Sequence, residues 1–196
     1  MIRELQAEDI KQVVQIHLSQ LPGFLSLLGK ELLTRYYQVS LDTPEMFTLV
    51  EKQDEQIHGF TTGAVKLKGL TIRILFKDVL GFVRIFMNIL FTHPILLLGS
   101  VKTLTYPGFS QDVPELLTIA VQKNFQNRGI GKKLFQAIKN KFQKRGIKYF
   151  QVSMYAKLSA GKFYEKMGCR LTKNFSFQGQ IMSYYMCKVN ERGLNN

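Results

Sequence analysis

The sequence predicts one mixed α/β domain of the α+β type, with a mixed central sheet flanked by helices. Three observations lead there. The chain has 196 residues, 45% of them hydrophobic, which suits a single domain with a proper core. Runs with the alternation of strands are interspersed with runs at helical spacing along its length. No internal repeat, low-complexity tract or interdomain linker interrupts them, so residues 1–190 form the domain and 191–196 a flexible tail.

The elements follow in order. Residues 2–6 read as a short strand. Ala7 to Leu21 reads as a helix because Ile10, Val13, Val14 and His17 recur at helical spacing. "LPGF" at 21–24 breaks it. A second helix runs from about Ser26 to Leu41, with Leu28, Leu32, Leu33, Tyr36 and Val39 on one side. "MFTLVEK" and "IHGFTTGAVK" are strand-like runs joined by the polar "QDEQ", a hairpin.

Residues 67–104 read as an amphipathic helical insertion of one or two helices. Arg73, Lys77, Arg84 and Asn88 fall on one helical face, because separations of 4, 11 and 15 residues return to nearly the same angle at ~100° per residue. Almost everything else there is apolar. The uncharged run from Ile85 to Val101 is broken by Asn88, His93 and Pro94, so it is a poor transmembrane span, which needs ~20 mostly apolar residues. Covering a sheet face is the simpler expectation for this segment; resting on a membrane or a partner chain is the alternative.

"PELLTIAVQ" at 114–122 is a strand. "GIGKKLFQAIKNKFQKRG" is a helix with Ile130, Leu134, Phe135, Ile138 and Phe142 inward, and Gly146 is its natural C-terminal cap. "IKYFQVSMY" is a strand, and "SAGKFYEKMG" a short helix capped by Gly168. "CRLTKNFSF" and "IMSYYMCKV" are two antiparallel strands joined around Gly179.

Charge is distributed unevenly. Gln122 to Lys173 holds fourteen Lys and Arg against one acid, Glu165, which accounts for the whole net charge of +13. Charge alone leaves open nucleic acid, an anionic membrane, a phosphate-rich cofactor, or a solvated face. Two cysteines, Cys169 and Cys187, make no disulfide framework, and no Cys/His cluster has zinc-ligand spacing. A reducing compartment and no metal are the simplest expectations. The start, "MIRELQAEDI", carries acids and lacks the apolar core of a secretory signal. A cytoplasmic location is therefore expected, membrane-peripheral if residues 67–104 rest on a bilayer.

Within the basic segment, "QNRGIGKKL" (126–134) stands where a strand turns into a helix. The first backbone N–H groups of such a helix are unpaired and, with the helix dipole, favour an anion. Gly129 and Gly131 let a phosphate approach the backbone, and Arg128, Lys132 and Lys133 add charge. A tight turn with glycines for packing is the plainer alternative. Neither familiar phosphate motif fits. A P-loop needs Ser or Thr where Lys133 stands, and a dinucleotide fingerprint needs a third glycine where Leu134 stands.

What the stretch does match is a family pattern. "LLTIAVQKNFQNRGIGKKLFQAI" resembles the acetyl-CoA-binding motif of the GNAT superfamily of N-acetyltransferases: a strand ending in a small residue and valine, a loop, then Gln/Arg-x-x-Gly-x-Gly/Ala. "AGKFYEKMGC" resembles a second family motif, A-x-x-F/L-Y-E-x-x-G-F, at the expected distance. "EKQDEQIHGFTTG" is more distantly similar to the family's second hairpin. Three features depart from the pattern. Lys157 stands where the family often has Asn, Cys169 where an aromatic is usual, and 67–104 exceeds the ordinary connection.

The resemblance implies a GNAT-like domain with acetyl-CoA as co-substrate, lying where the fourth and fifth strands splay apart. Its pantetheine would bond along Ile119, Ala120 and Val121 like an added strand. Its pyrophosphate would sit on the amides of Gln126, Asn127, Arg128, Gly129, Ile130, Gly131 and Lys132, with Lys157 nearby by position. An amine would attack the thioester directly. Tyr164 matches the tyrosine that commonly protonates the leaving thiolate, and Glu115 stands where the family sometimes holds a glutamate base acting through water. Tyr164 as plain core and Glu115 as an exposed strand end are the alternatives. His17, His58 and His93 read as helix face, strand interior and helix boundary. The acceptor site would involve Phe24 and the aromatics Phe175, Phe177, Tyr184 and Tyr185. A primary amine is implied, with an amino-sugar or similar mid-sized acceptor preferred and a protein N-terminus or lysine as rival. A non-catalytic basic binding module on the same fold is the rival class; nucleic acid is disfavoured.

Overall fold

The computed structural model describes residues 1–21, 23–95, 112–177 and 179–189. The expected flexible tail, and residues 96–104 of the expected helical insertion, lie outside them. The strands are β1 (Ile2–Glu4), β2 (Met46–Gln53), β3 (Gln56–Ala64), β4 (Glu115–Val121), β5 (Tyr149–Tyr155), β6 (Cys169–Phe177) and β7 (Gln180–Lys188). The helices are α1 (Ile10–Gln20), α2 (Phe24–Leu27), α3 (Gly29–Leu41), α4 (Leu70–Lys77), α5 (Val79–Thr92), α6 (Ile130–Lys144) and α7 (Ala160–Lys166).

The strands form one sheet in the order β1-β2-β3-β4-β5-β7-β6. Every neighbouring pair is antiparallel except β4–β5, which is parallel. The β2–β3 hairpin turns through Asp54 (φ 48) and Glu55 (φ 62), two adjacent left-handed residues that match the right-handed twist of the strands.

Helices cover both faces. On one, Val13 of α1 and Leu33 and Tyr37 of α3 pack against Val50, Ile57 and Phe60. On the other, α6 and α7 lie over Phe47, Leu116, Phe150 and Val152. In α6 the inward residues recur every three or four positions, so Leu134, Phe135, Ile138 and Phe142 are all buried while the lysines between them mostly point out. Phe142 meets Phe47 edge-on at 5.1 Å and stacks on Phe150 at 4.7 Å. Truncating such a residue to Ala costs about 3–5 kcal/mol. The helix ends on Gly146 (φ 74), whose N–H donates to Gln143 O at 2.9 Å.

Three expectations need correction. The second helix is split, because Gly29 (φ 92) turns the chain between α2 and α3. The segment after residue 67 forms two helices, within the expected one or two, but Arg73, Lys77, Arg84 and Asn88 do not share one continuous helical face. Asp78 ends α4 by leaving the helical conformation (φ -150, ψ 64), and its carboxylate accepts from Gly81 N at 3.2 Å to start α5. These two helices cover one end of a sheet face. Leu70, Ile74 and Phe82 pack on Val39, Met46 and Ala64, and Ile85 and Ile89 on Leu28 and Leu32, so they lean on α3 and on the ends of β2 and β3.

The third correction concerns the cysteines. Cys169 and Cys187 face each other across β6 and β7 with Cα atoms 4.2 Å apart and are disulfide-bonded. A bulge sets this pairing. From Phe177–Gln180 to Lys173–Tyr184 the two strands pair in one register, and from Leu171–Tyr185 onward they are shifted by one residue at Thr172. Without that extra residue Cys169 would face Lys188. The argument for a reducing compartment from unpaired thiols therefore lapses.

Candidate active site

β4 and β5 stay together for only two residue pairs, Glu115–Gln151 and Leu116–Val152. Beyond them β4 keeps its partner β3, through Thr61–Ile119, Phe60–Ala120 and Gly59–Val121, but has no strand partner on the β5 side among the described residues. The sheet therefore opens into a slot flanked by the free edge of Ile119, Ala120 and Val121. A bulge at the mouth contributes: the β3–β4 register shifts between Thr62 and Gly63, leaving Leu117 as the extra residue on β4. Close approach also matters here. Gly59 lies so near β4 that a Cβ would sit 2.7 Å from Ala120 O.

The loop after β4 closes the wide end of the slot. A short 3-10 turn, Lys123–Phe125, is followed by Asn127 (φ 61) and Gly129 (φ 78), and α6 begins at Ile130. The amides of Ile130, Gly131 and Lys132 open that helix, where no carbonyl one turn back can accept from them. Gln126 acts as a clip: its Nε2 donates to Val121 O and to Gln20 Oε1, both at 3.0 Å, and its own N–H donates to Lys123 O at 3.3 Å. Arg128 lies over the Phe125 ring at 5.4 Å, and Phe125 stacks on His58 at 3.7 Å. His58 Nδ1 in turn stands 3.0 Å from Glu51 Oε2. This column pins the loop to β2 and β3. Lys157 precedes α7 with its Nζ 5.9 Å over the Tyr155 ring.

Glu115 and Tyr164 occupy opposite faces of the sheet. Tyr164 is buried on the α6–α7 side, with ring centroids 6.2 Å from Phe135, 5.3 Å from Phe163 and 6.0 Å from Tyr185. Burial pushes its phenol well up, so it carries its proton at neutral pH. Glu115 is not the exposed strand end that its position allowed, being only 2% exposed. The hydroxyl of Ser153 donates to one carboxylate oxygen and Gln151 Nε2 to the other at 3.2 Å. Gln151 and Ser153 alternate along β5 with Phe150, Val152 and Met154, which pack under α6, so Glu115 looks to the other side. The same alternation separates two tyrosines of β7. Tyr185 joins Tyr164, whereas Tyr184 pairs with Ser153 and stacks on Phe175 at 4.4 Å.

His17 is core. Its Nδ1 is 2.8 Å from the Tyr37 hydroxyl, and burial lowers its pKa to about 4, leaving the ring neutral at pH 7. His93 is exposed at the end of α5. Among the described residues no three His, Cys, Asp or Glu side chains gather as a metal-holding group, and no helix is long and apolar enough to cross a membrane. Sequence reasoning missed the Glu115–Ser153–Gln151 cluster and the His58–Phe125–Arg128 column. The first needed the parallel register of β4 on β5, and the second needed a contact between segments more than 60 residues apart.

Comparison with known proteins fits this geometry. Residues 101–188 match the family model of the acetyltransferase (GNAT) domain. No curated protein matches the sequence. Solved structures match the fold over nearly its whole length. An N-acetyltransferase from Staphylococcus aureus Mu50 superposes with a TM-score of 0.64 at 12% identity, over 97% of this chain and 98% of that one. The ribosomal-protein-S18-alanine N-acetyltransferase from Escherichia coli gives 0.61 at 13% identity, over 100% and 97%. The PaiA N-acetyltransferase from Thermoplasma acidophilum, solved in complex with coenzyme A, gives 0.60 at 15% identity, over 96% and 98%.

Proposed function

We propose, for a chain whose residues 101–188 match the acetyltransferase (GNAT) domain, an N-acetyltransferase that moves the acetyl group of acetyl-CoA to a primary amine by direct attack. The observation that carries this is the slot beside β4, open along Ile119–Val121 and ending at the start of α6.

The residues fit the donor. The free β4 edge offers backbone groups to the two amides of a pantetheine arm, which would pair there as a short extra strand. The amides from Asn127 to Lys132 suit the pyrophosphate, with Arg128 and Lys132 adding charge. Gly131 supports this use. It has no left-handed φ, and a Cβ there would meet Phe163 and Val121 only at 3.8–3.9 Å. The chain's own packing therefore does not require glycine at this position, whereas a ligand seated on the helix start gains from its bare backbone.

Donor and acceptor then approach the slot from the two faces. Tyr164, protonated on the α6–α7 side, would give a proton to the departing thiolate. Glu115, on the other face, takes the proton of the incoming ammonium through water, held in orientation by Ser153 and Gln151. A β4 N–H after the Leu117 bulge is the candidate donor to the thioester oxygen as it gains charge. Tyr184 and Phe175 lie on the acceptor face, which favours a mid-sized acceptor such as an amino-sugar. A thermal-shift series with acetyl-CoA, then a thiol-release screen across amine classes, tests the proposal. Acetyl-CoA that gives no stabilisation would overturn it.

A further inference from the structure

The described residues include sixteen large hydrophobic side chains that are exposed, and nine of them fall between Ile72 and Ile95. This concentration is unlike the scattered single apolar residues of an ordinary surface. On α5 it has a clear geometry. Phe82, Ile85 and Ile89 face inward, while Leu80 (84% exposed), Val83, Met87, Leu90 and Phe91 (79%) form a stripe down the outer side. Phe76 (75%) extends the patch onto α4.

Beside the stripe the surface turns cationic. Arg84 lies at its border and lines a groove of about 580 Å³ between α5 and α3, with Lys30, Arg35 and the single acid Glu31. Between residues 67 and 95 the chain has Lys68, Arg73, Lys77 and Arg84 against one acid, Asp78. Asp78 is taken by Arg35, and Arg73 by Glu45 at 3.2 Å. Lys77 Nζ donates to the Asp42 carbonyl, and among the described residues no carboxylate pairs with Lys68 or Arg84.

We propose that the outer face of α4 and α5 docks on an anionic lipid bilayer, with the stripe sunk to the boundary of headgroups and acyl chains and Arg84 and Lys30 over the headgroup phosphates. Apolar side chains flanked by basic ones on a helix lying parallel to the surface are the pattern of an interfacial anchor. Charge selects this occupant over a second copy of the chain. A symmetric pair would oppose the same cations, whereas anionic headgroups complement them. The inner side of α4 and α5, opposite the docked face, reaches the start of β4, where Leu117 packs against Leu70, Ile74 and Phe82.

Vesicle flotation tests the proposal independently of acetyltransferase activity. The intact protein should float with vesicles of phosphatidylcholine mixed with phosphatidylglycerol and far less with phosphatidylcholine alone. Leu80→Asp with Phe91→Asp, both outward-facing, should lower partitioning at least tenfold, since each buried side chain contributes about 1.5–3 kcal/mol. Arg84→Glu should lower it roughly tenfold on the mixed vesicles only. Circular dichroism and melting should show both variants folded. Failure of the intact protein to float, or flotation unchanged by the double substitution, overturns the proposal. So does a sedimenting dimer that Leu80→Asp dissociates, because the stripe would then be an interface between copies.

Discussion

Gly59→Ala probes how tightly the slot is built. A Cβ at this position would stand 2.7 Å from Ala120 O, 3.1 Å from Leu134 Cδ1 and 3.2 Å from Val121 Cα, where ordinary contact begins at 3.4 Å. Two of those three atoms are backbone, so no rotamer change removes the clash. The strands must part or β4 must shift, and overpacking of this kind costs about 1–3 kcal/mol. At roughly 2–4 °C per kcal/mol for a chain of this size, Tm should fall by roughly 2–12 °C. The displaced atoms border the free edge of β4, so acetyl-CoA affinity measured by calorimetry should fall as well. Gly131→Ala is the matched control. Its Cβ meets only contacts of 3.8–3.9 Å within a helix. It should therefore stabilise the fold by about 0.5–1 kcal/mol but weaken donor binding, since the added carbon stands where the pyrophosphate would approach the helix start. A Gly59→Ala variant that melts within a degree of the parent would refute the packing argument. Equal losses of Tm in both variants would refute the distinction between them.

Other expectations follow from the same structure. Tyr164→Phe should lower kcat in acetyl transfer while leaving acetyl-CoA binding in place; an unchanged rate would remove Tyr164 from the chemistry. His17 couples stability to pH. Its folded pKa of about 4 lies below the ordinary 6.5, so the unfolded chain binds the proton first as pH falls. Stability is full above pH 6.5 and is lost between there and pH 4, by about 2 kcal/mol from pH 7 to pH 5. Urea unfolding at the two pH values should show this loss, and His17→Gln should lack most of it. The Cys169–Cys187 bond closes a loop with a sequence separation of 18, so reduction should cost about 3 kcal/mol. Thiol titration of the unfolded, unreduced protein should find no free cysteine; two would refute the bond.

What the sequence made legible was local. The α6 pattern, its glycine start and its Gly146 end are all written in consecutive residues, and so are the two motifs that place the slot. Register was not. Nothing in "ELLTIAV" says that β4 leaves β5 after Leu116, or that Leu117 is a bulge. Nothing in "CRLTKNFSF" says that Thr172 slips by one and brings Cys169 opposite Cys187. Alternation shows that Tyr184 and Tyr185 must point to opposite faces, yet only the pairing with β5 tells which of them stands near Glu115. The apolar excess of residues 67–95 was visible, but its division into a buried and a bare side depends on where α3 lies.

If the donor pairs along the open edge of β4, the protein's stability would depend on its supply. A sheet with an open seam is incomplete until something pairs along it, and whatever binds only the folded form raises its stability by RT ln(1 + [L]/Kd). At a hundredfold excess over Kd that is about 2.7 kcal/mol. Starved of acetyl-CoA, the chain would be left with an exposed strand edge, the kind of surface on which chains misassemble. The seam would then act as a gauge of metabolic state: the pool of usable protein would rise and fall with the acetyl-CoA around it, without any separate regulatory site.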